Sequence, residues 1–241
     1  MDGVEVWYLP TGEVRGEALL RACDSTLSGE ERARGRALRL EQHRHEHLVT
    51  RALGRGVLAR ALGVAPSRLS FRRNAHGRPE LASSGDLRFN LTNTTELVAC
   101  AVARSREVGI DAEHASRADD ILEVAHIVFT TSERKALAAL DSGARCARAL
   151  HLWTAKEAYV KARGLGLSLS PTKLELEIHE GRLELRLLEA LDDAPGRWGF
   201  LTREIEGHTV TLCVDGLGRA GAVTFRRANL AELLARDASD G

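Results

Sequence analysis

The feature that most constrains the fold is a pair of long helical patterns, each followed by runs typical of β-strands. Apolar residues recur with a period of about 3.6 over residues 144–163, and the pattern stops at Gly164-Leu-Gly166. A second long helix is predicted over residues 41–62, with Gly63 ending it. The two halves of the chain therefore share an order of elements, although no residue-level repeat is detectable.

Strand-like runs follow each predicted helix. After the first helix they cover residues 87–91, 97–102 and 108–111, which we expect to be neighbours in one antiparallel sheet. After the second helix the runs are 173–178, 182–188, 198–205, 209–214 and 222–226. This order predicts an α+β fold of two similar subdomains, residues 1–115 and 116–241. Each would be a long helix packed on an antiparallel sheet, related by pseudo-two-fold symmetry, with a ligand cleft between them.

Shorter signals complete the predicted order of elements. An N-terminal strand is expected over residues 4–9, and Ser28 with Glu31 three positions later is typical of a helix N-cap. Residues 115–140 are expected to be helical in two pieces, with Thr131 or Ser132 capping the second. A last short helix is predicted over residues 229–236, followed by a frayed tail at 237–241.

Charge and composition exclude several classes of protein. Basic and acidic residues both number 34, so no global field attracts nucleic acid or an anionic membrane. The four cysteines form no CxxC pair and no compact disulfide framework, so reduced, buried thiols are expected. The first residues show no secretion signal, and no run of about 18 apolar residues occurs. A compact, soluble, cytoplasmic protein is therefore expected.

The first group of chemically suggestive residues is Val108-Gly-Ile-Asp111-Ala-Glu113. Because side chains alternate along a strand, Asp111 and Glu113 point to the same face and can converge on one hard cation. Magnesium suits such oxygen ligands when a phosphate supplies others. Taken alone, two carboxylates at this spacing are more often a solvated strand end.

The second group lies in the long helix 144–163, in the segment Trp153-Thr-Ala-Lys156-Glu157-Ala-Tyr159-Val-Lys161. Glu157 and Lys161 are four residues apart on one helix face, so a carboxylate and an ammonium can meet a single phosphate group. The same spacing is also that of a common surface ion pair. In that interpretation Trp153 and Tyr159 are core residues.

Together these two segments resemble the paired signature of the 4′-phosphopantetheinyl transferases, (V/I)G(V/I)D-x-E and (F/W)xxKE(A/S)xxK. The length and the two helix-plus-sheet halves resemble the two-lobed monomeric branch of that family, the Sfp type. The resemblance is densest between Phe89 and Leu169. It implies an enzyme of the holo-[acyl-carrier-protein] synthase type, which moves phosphopantetheine from coenzyme A to a serine of an acyl or peptidyl carrier protein and releases 3′,5′-ADP. The carrier could serve fatty-acid, polyketide or nonribosomal-peptide synthesis, and the sequence does not distinguish these.

The resemblance also assigns roles to individual residues. Metal ligands for Mg²⁺, with Mn²⁺ as a substitute, would be Asp111, Glu113 and Glu157, and catalytic roles fall to Glu157 and Lys161. Binding of coenzyme A is implied for Arg51, Arg78, Thr92, Asn93, Asp111 and Lys161. The first subdomain would thus bind coenzyme A and carry the DxE ligands, while the second would carry the WxxKExxxK helix and face the carrier. The resemblance further implies a monomer that binds neither nucleic acid nor membrane.

The sequence departs from the usual family pattern in the segment Phe89-Asn90-Leu91-Thr92-Asn93-Thr94. Asn93 stands where the family usually has histidine, and Thr92 where it usually has serine. Threonine keeps a hydroxyl donor, whereas asparagine keeps an amide donor but cannot carry positive charge. Retained phosphate binding with a changed pH dependence is therefore expected.

Other interpretations of the same residues remain open. The carboxylates would equally serve a metal-dependent phosphohydrolase that cleaves coenzyme A or a nucleotide, and Asn93 would suit a non-catalytic binding module. Glu133 matches a recurrent acidic position and would orient a water or the serine, or it is an exposed glutamate in a first helical turn. The run from His43 through His45 to His47 invites a metal site, but solvated helix histidines are favoured because no third ligand lies at a useful spacing.

Overall fold

The computed structural model describes residues 3–83, 85–179, 182–188, 193–219 and 222–235. Within them the helices are α1 (Glu17–Thr26), α2 (Gly29–Ala37), α3 (Glu41–Leu62), α4 (Ala118–Glu123), α5 (Ala125–Val128), α6 (Thr131–Ala138), α7 (Ser142–Arg163) and α8 (Leu230–Leu234). The strands are β1 (Val4–Pro10), β2 (Phe71–Arg73), β3 (Pro79–Leu81), β4 (Leu87–Thr94), β5 (Leu97–Arg104), β6 (Val108–His114), β7 (Leu174–His179), β8 (Arg182–Leu187), β9 (Trp198–Ile205), β10 (His208–Asp215) and β11 (Val223–Arg227).

Two sheets pack face to face at the centre of the molecule, and a long helix covers the outer face of each. The first sheet has the strand order β11-β1-β5-β4, and the second has the order β6-β10-β9. Their facing side chains, among them Val6, Ala101, Ile110 and Leu212, form one buried cluster. Helix α3 packs on the first sheet and α7 on the second. The predicted α+β class, with two helix-on-sheet lobes, is confirmed.

Strand β5 shows why this layering suits the sequence. Seven of its eight residues, the run LVACAVA, are buried, because α3 covers one of its faces and the second sheet covers the other. A strand covered on both sides carries a nearly continuous apolar run instead of an alternating one. Its small residues also allow the layers to approach closely.

The two long helices lie where their sequence patterns placed them. The predicted bounds of α3 are confirmed at both ends, and Gly63 follows it with a left-handed φ of 69°. Helix α7 ends at Arg163 as predicted, again before a left-handed glycine, Gly164 at φ 64°. It begins two residues earlier than expected, because the Asp141 carboxylate accepts a hydrogen bond from Ala144 N at 2.9 Å and caps the helix there.

The predicted caps have mixed outcomes. Ser28 and Glu31 form a capping box at the start of α2, which confirms that prediction. The cap expected at Thr131 or Ser132 is wrong, since Thr130 caps α6 instead. Its hydroxyl accepts from Glu133 N at 3.2 Å, and Glu133 Oε2 accepts from Thr130 N at 2.8 Å.

The sheet pairing differs from the sequence-based expectation. Strands β4 and β5 are antiparallel neighbours, but β6 pairs with β10, so the prediction that all three share one sheet is wrong. Strand β11 runs parallel to β1, and the first sheet is therefore mixed. Each half of the chain thus contributes a strand to the other half's sheet. The boundary between residues 115 and 116 stays a prediction.

The cysteines and the C-terminal segment complete the description of the fold. All four cysteines are free, and Cys23, Cys100 and Cys213 are buried, as expected. Helix α8 is shorter than predicted, and Asn229 caps it. The tail expected to fray, residues 237–241, lies outside the described residues. Among the helices of the described ranges, none combines the length and apolar character that crossing a membrane requires.

Candidate active site

A glycine on β6 brings the two sequence motifs together. A Cβ atom added at Gly109 would lie 2.0 Å from Ala158 O and 2.4 Å from Ala162 N, so the backbone of α7 rests directly on β6 at this point. Only glycine permits such an approach. Because α7 lies so close, its residues Glu157 and Lys161 are held near the strand end that carries the DxE carboxylates.

Lys161 and Asp111 form the centre of the candidate site. Lys161 Nζ lies 2.6 Å from Asp111 Oδ1 and also donates to Thr92 Oγ1 at 3.1 Å and to Ile110 O at 3.2 Å. Thr92 Oγ1 in turn donates to Asp111 Oδ1 at 3.1 Å. Asp111 is only 6% exposed, and its second oxygen, Oδ2, is buried without a hydrogen-bond partner in the part of the chain that the structure describes.

The site lies where the two sheets meet. Asn90 on β4 is buried, and its Oδ1 accepts a hydrogen bond from Ile110 N on β6 at 3.0 Å. This bond ties the first sheet to the second, and it sets Thr92 and Thr94 opposite Asp111 and Glu113. Thr94 Oγ1 donates to Glu113 Oε2 at 3.2 Å. The threonines of β4 therefore orient the carboxylates of β6.

Two further carboxylates, Glu157 and Glu113, have shifted pKa values. Burial raises the pKa of Glu157, and the nearby Asp111 raises it further, while Lys161 opposes the shift. Burial and Asp111 likewise raise the pKa of Glu113, against the effects of the Thr94 hydrogen bond and of Arg117. Three carboxylates thus share one partly buried region with one lysine. Such a region favours an added cation.

The structure does not contain a preformed metal cage. Among the described residues, no three His, Cys, Asp or Glu side chains lie close enough together to hold a metal ion. Glu157 makes no hydrogen bond or ion pair with the described residues, and no ion pair links it to Lys161. The predicted pair of Glu157 and Lys161 is therefore brought near Asp111, but Lys161 pairs with Asp111 and not with Glu157.

Asn93 and Thr92 point in opposite directions. Thr92 is buried and is bonded to both Asp111 and Lys161, whereas Asn93 is exposed. By the alternation of the strand, Asn93 shares a face with Phe89 and Leu91. Both of these line a cavity of about 430 Å³ beside the first sheet.

This cavity contains the predicted ligand-binding residue Arg51. It is enclosed by α2, α3 and β2–β4, with apolar walls from Leu58, Phe71 and Phe89. The Arg51 Nε atom is buried and has no hydrogen-bond partner among the described residues. Burial lowers the pKa of Arg51, and the nearby Glu31 partly offsets that effect. A half-buried guanidinium in a cavity, with no partner among the described residues, is suited to bind an anion.

Arg78, a predicted ligand-binding residue, donates to protein oxygens in this structure. Its Nη1 donates to Glu107 Oε2 at 3.0 Å and to Ala162 O at 2.8 Å, and its Nη2 donates to Val108 O at 3.3 Å. The side chain is 11% exposed and reaches across to the end of α7. The structure thus uses Arg78 to join its loop to β6 and α7, and it shows the guanidinium engaged by protein oxygens where a phosphate contact was expected.

Glu133 matches neither of its predicted interpretations. It is 4% exposed, and its Oε2 lies 2.6 Å from Lys156 Nζ while its Oε1 accepts from Leu176 N at 2.8 Å. Lys156 also donates to the carbonyls of Val128, Pro171 and Leu174. Glu133 is therefore part of a buried ion pair that joins α6, α7 and β7.

Sequence reasoning missed the structural role of Lys156, although a signal existed. Leu152, Lys156 and Val160 recur every four residues, so the lysine lies on the buried stripe of α7. A charged residue on an apolar stripe indicates a buried partner.

The histidine run of α3 is not a metal site in the described structure. His43 is exposed, as favoured, but His45 and His47 are half-buried and bond to backbone carbonyls. Their Nε2 atoms lie 3.0 Å from Thr11 O and from Glu31 O, respectively. They hold α3 to the segments that precede it.

Comparison with known proteins agrees with this geometry. Residues 107–213, which include β6, α7 and most of β10, match the profile of the 4′-phosphopantetheinyl transferase superfamily. The 4′-phosphopantetheinyl transferase HetI of Nostoc sp. is 33% identical over 171 residues, which are 69% of this chain and 71% of that protein. The 4′-phosphopantetheinyl transferase Sfp of Bacillus subtilis is 29% identical over 191 residues, 78% of this chain and 82% of that protein.

Solved structures give a weaker match. A holo-(acyl-carrier-protein) synthase from Bacillus anthracis, in complex with CoA (3′,5′-ADP), aligns with a TM-score of 0.40 and 21% identity over 45% of this chain and 94% of that chain. The sequence comparisons alone show the family. The chain belongs to the 4′-phosphopantetheinyl transferase superfamily.

Proposed function

We propose that this protein transfers the 4′-phosphopantetheine group of coenzyme A to a serine hydroxyl of an acyl or peptidyl carrier protein, releasing 3′,5′-ADP. Its family membership and the transferases among its relatives support the reaction. The observation that carries the proposal is the meeting of the two motifs, with Lys161 Nζ 2.6 Å from Asp111 Oδ1 and Asp111 Oδ2 buried without a partner.

The residues present fit a magnesium ion. Asp111 Oδ2 is a buried oxygen that lacks a donor, and Glu157 and Glu113 have pKa values raised partly by the Asp111 charge. Mg²⁺ is usually held by one or two carboxylates together with substrate phosphates, so a complete protein cage is not required. We therefore assign Asp111, Glu157 and Glu113 as its ligands, with Mn²⁺ as a substitute. When bound, the ion would neutralise charge on the pyrophosphate of coenzyme A.

The chain's own residues supply the other functions. Lys161, 28% exposed at its side chain, can keep one N–H on Asp111 and direct another at the departing phosphate. Glu157 is the candidate base for the serine hydroxyl, because α7 holds its carboxylate in the same partly buried region as Asp111 and Lys161. Arg51 would bind a nucleotide phosphate in the cavity, and Thr92 would fix the orientation of Asp111 and Lys161. Asn93 would contribute an uncharged amide donor beside that cavity.

We also propose that the protein acts as a cytoplasmic monomer. One chain supplies both β6 and α7, so no second copy is needed to complete the site. Equal numbers of basic and acidic residues give no overall attraction to nucleic acid or membrane.

The test is mass spectrometry of a panel of apo-carrier proteins incubated with the protein, coenzyme A and Mg²⁺. A gain of one phosphopantetheine on the carrier serine is expected from the wild-type chain and from Glu184→Ala, an exposed glutamate of β8 that serves as a matched control. Asp111→Ala and Glu157→Ala are expected to lose it. Consumption of coenzyme A without any modified carrier would instead indicate a phosphohydrolase, and neither modification nor consumption would indicate a binding module.

A further inference from the structure

One face of α3 presents a row of basic side chains to the cavity beside the first sheet. His47, Arg51 and Arg55 are spaced four residues apart, so they lie one above another along the helix. Glu31, from α2, lines the same cavity. Glu30 lines the cavity as well but pairs with Arg34, so Glu31 is the carboxylate whose partner affects how much positive charge the row retains.

Arg55 holds that carboxylate. Its Nε lies 2.9 Å from Glu31 Oε2, and its Nη2 lies 2.7 Å from the same oxygen. The Arg55 side chain is 2% exposed, and its Nη1 donates to Pro66 O at 2.9 Å and to Leu69 O at 3.1 Å. The guanidinium also lies over the ring of Phe71, 5.1 Å from its centroid. Four of the five N–H donors of Arg55 are thus on protein acceptors, and its side chain is almost fully buried.

Arg51, one turn earlier, is in the opposite situation. Its Nε is buried and has no partner among the described residues, and no ion pair joins it to any carboxylate in the described ranges. Glu31 is close enough to influence the proton affinity of Arg51. With Arg55 absent, the freed Glu31 carboxylate would be able to pair with Arg51, which lines the same cavity.

We propose that Arg55 is a positioning residue: by occupying the Glu31 carboxylate, it keeps Arg51 free to bind a nucleotide phosphate in this cavity. The inference rests on the proposed function, because it takes that phosphate to be part of coenzyme A. It assigns Arg55 no contact with the ligand. The effect of Arg55 on binding therefore depends on the presence of Glu31.

The experiment is isothermal titration of 3′,5′-ADP into the full chain and five variants. Arg55→Met is expected to weaken binding by about tenfold or more, since Glu31 would then compete for Arg51. The double variant Glu31→Gln/Arg55→Met is expected to recover wild-type affinity to within about threefold, which is the energetic coupling that a double-mutant cycle detects. Glu31→Gln alone should bind at least as tightly as wild type, since glutamine still completes the capping box with Ser28.

Arg55→Met also removes the side-chain donor to Leu69 O and one of the two donors to Pro66 O, and it could fail to fold for that reason. The pair Arg55→Gln and Glu31→Gln/Arg55→Gln then carries the test, because glutamine can donate to a carbonyl but has no charge to hold Glu31. Weakening is expected in the first and recovery in the second. Equal affinities of the single and double variants, or a wild-type chain that does not bind 3′,5′-ADP, would overturn the inference.

The two proposals fail separately. A wild-type chain that transfers phosphopantetheine while the double variant shows no recovery counts against the role of Arg55 alone. A wild-type chain that binds 3′,5′-ADP with the expected recovery, yet modifies no carrier, counts against the proposed transfer alone.

Discussion

Replacing Gly109 with alanine tests whether close contact between β6 and α7 assembles the site. The new methyl group would lie 2.0 Å from Ala158 O and 2.4 Å from Ala162 N, whereas ordinary contact begins at 3.4 Å. Helix α7 would have to recede by about 1.4 Å, the difference between the first and last of these distances. The obstacles are backbone atoms of a helix and cannot turn aside as a flexible side chain would.

The consequences for stability and for activity follow from that displacement. Overpacking of a core costs about 1–3 kcal/mol, and a backbone obstacle places Gly109→Ala near about 3 kcal/mol. For a chain of this size that corresponds to a fall in Tm of about 6–12 °C. The same shift would stretch the 2.6 Å contact between Lys161 and Asp111 beyond hydrogen-bonding distance. A misplacement of about 1 Å reduces turnover by about 100-fold.

The assay combines thermal unfolding with the initial rate of carrier modification. Gly143→Ala is the matched control, because it lies on the same helix and its added methyl group would meet only Asp141 Oδ1, at 3.6 Å. Alanine is favoured over glycine in a helix by about 1 kcal/mol, so the control should be as stable as wild type or slightly more so. A Gly109→Ala protein with wild-type Tm and a wild-type rate would refute the packing argument.

Three further substitutions test individual contacts. Glu157→Gln should raise the Tm in metal-free buffer at pH 8 but not below pH 4.5. The reason is that a carboxyl group whose pKa is raised in the folded protein costs stability only above its ordinary pKa of 4.5. An equal difference in Tm at both pH values would contradict this. Arg78→Met should lower kcat more than it raises the KM for coenzyme A, and it should cost about 2 kcal/mol of unfolding free energy. A change confined to KM would instead support the predicted contact between Arg78 and a phosphate. Lys156→Met should cost about 3–5 kcal/mol, because it leaves the Glu133 charge buried. Chemical denaturation should show that the double variant Lys156→Met/Glu133→Gln recovers part of this lost unfolding free energy. No recovery would mean that the buried charge of Glu133 does not cause the loss.

Some features could be predicted from the sequence because their signals are local. The ends of α3, the capping box at Ser28 and the left-handed glycine after α7 depend on residues within a few positions of each other. The shared face of Asp111 and Glu113 follows from strand alternation alone. The identities of the main site residues came from the spacing of two motifs, and their roles remain predictions.

Only the tertiary structure decided which distant groups meet. The pairing of β6 with β10, and of β11 with β1, depends on which faces are buried in the folded protein, and neither is marked by any neighbouring residue. Arg78 joins Glu107 to the end of α7, where its acceptor Ala162 O lies 84 residues away in the chain. Local chemistry therefore determined the elements and the candidate groups. The partner of each charge was set by packing, because a buried donor bonds to whichever acceptor the fold brings within reach.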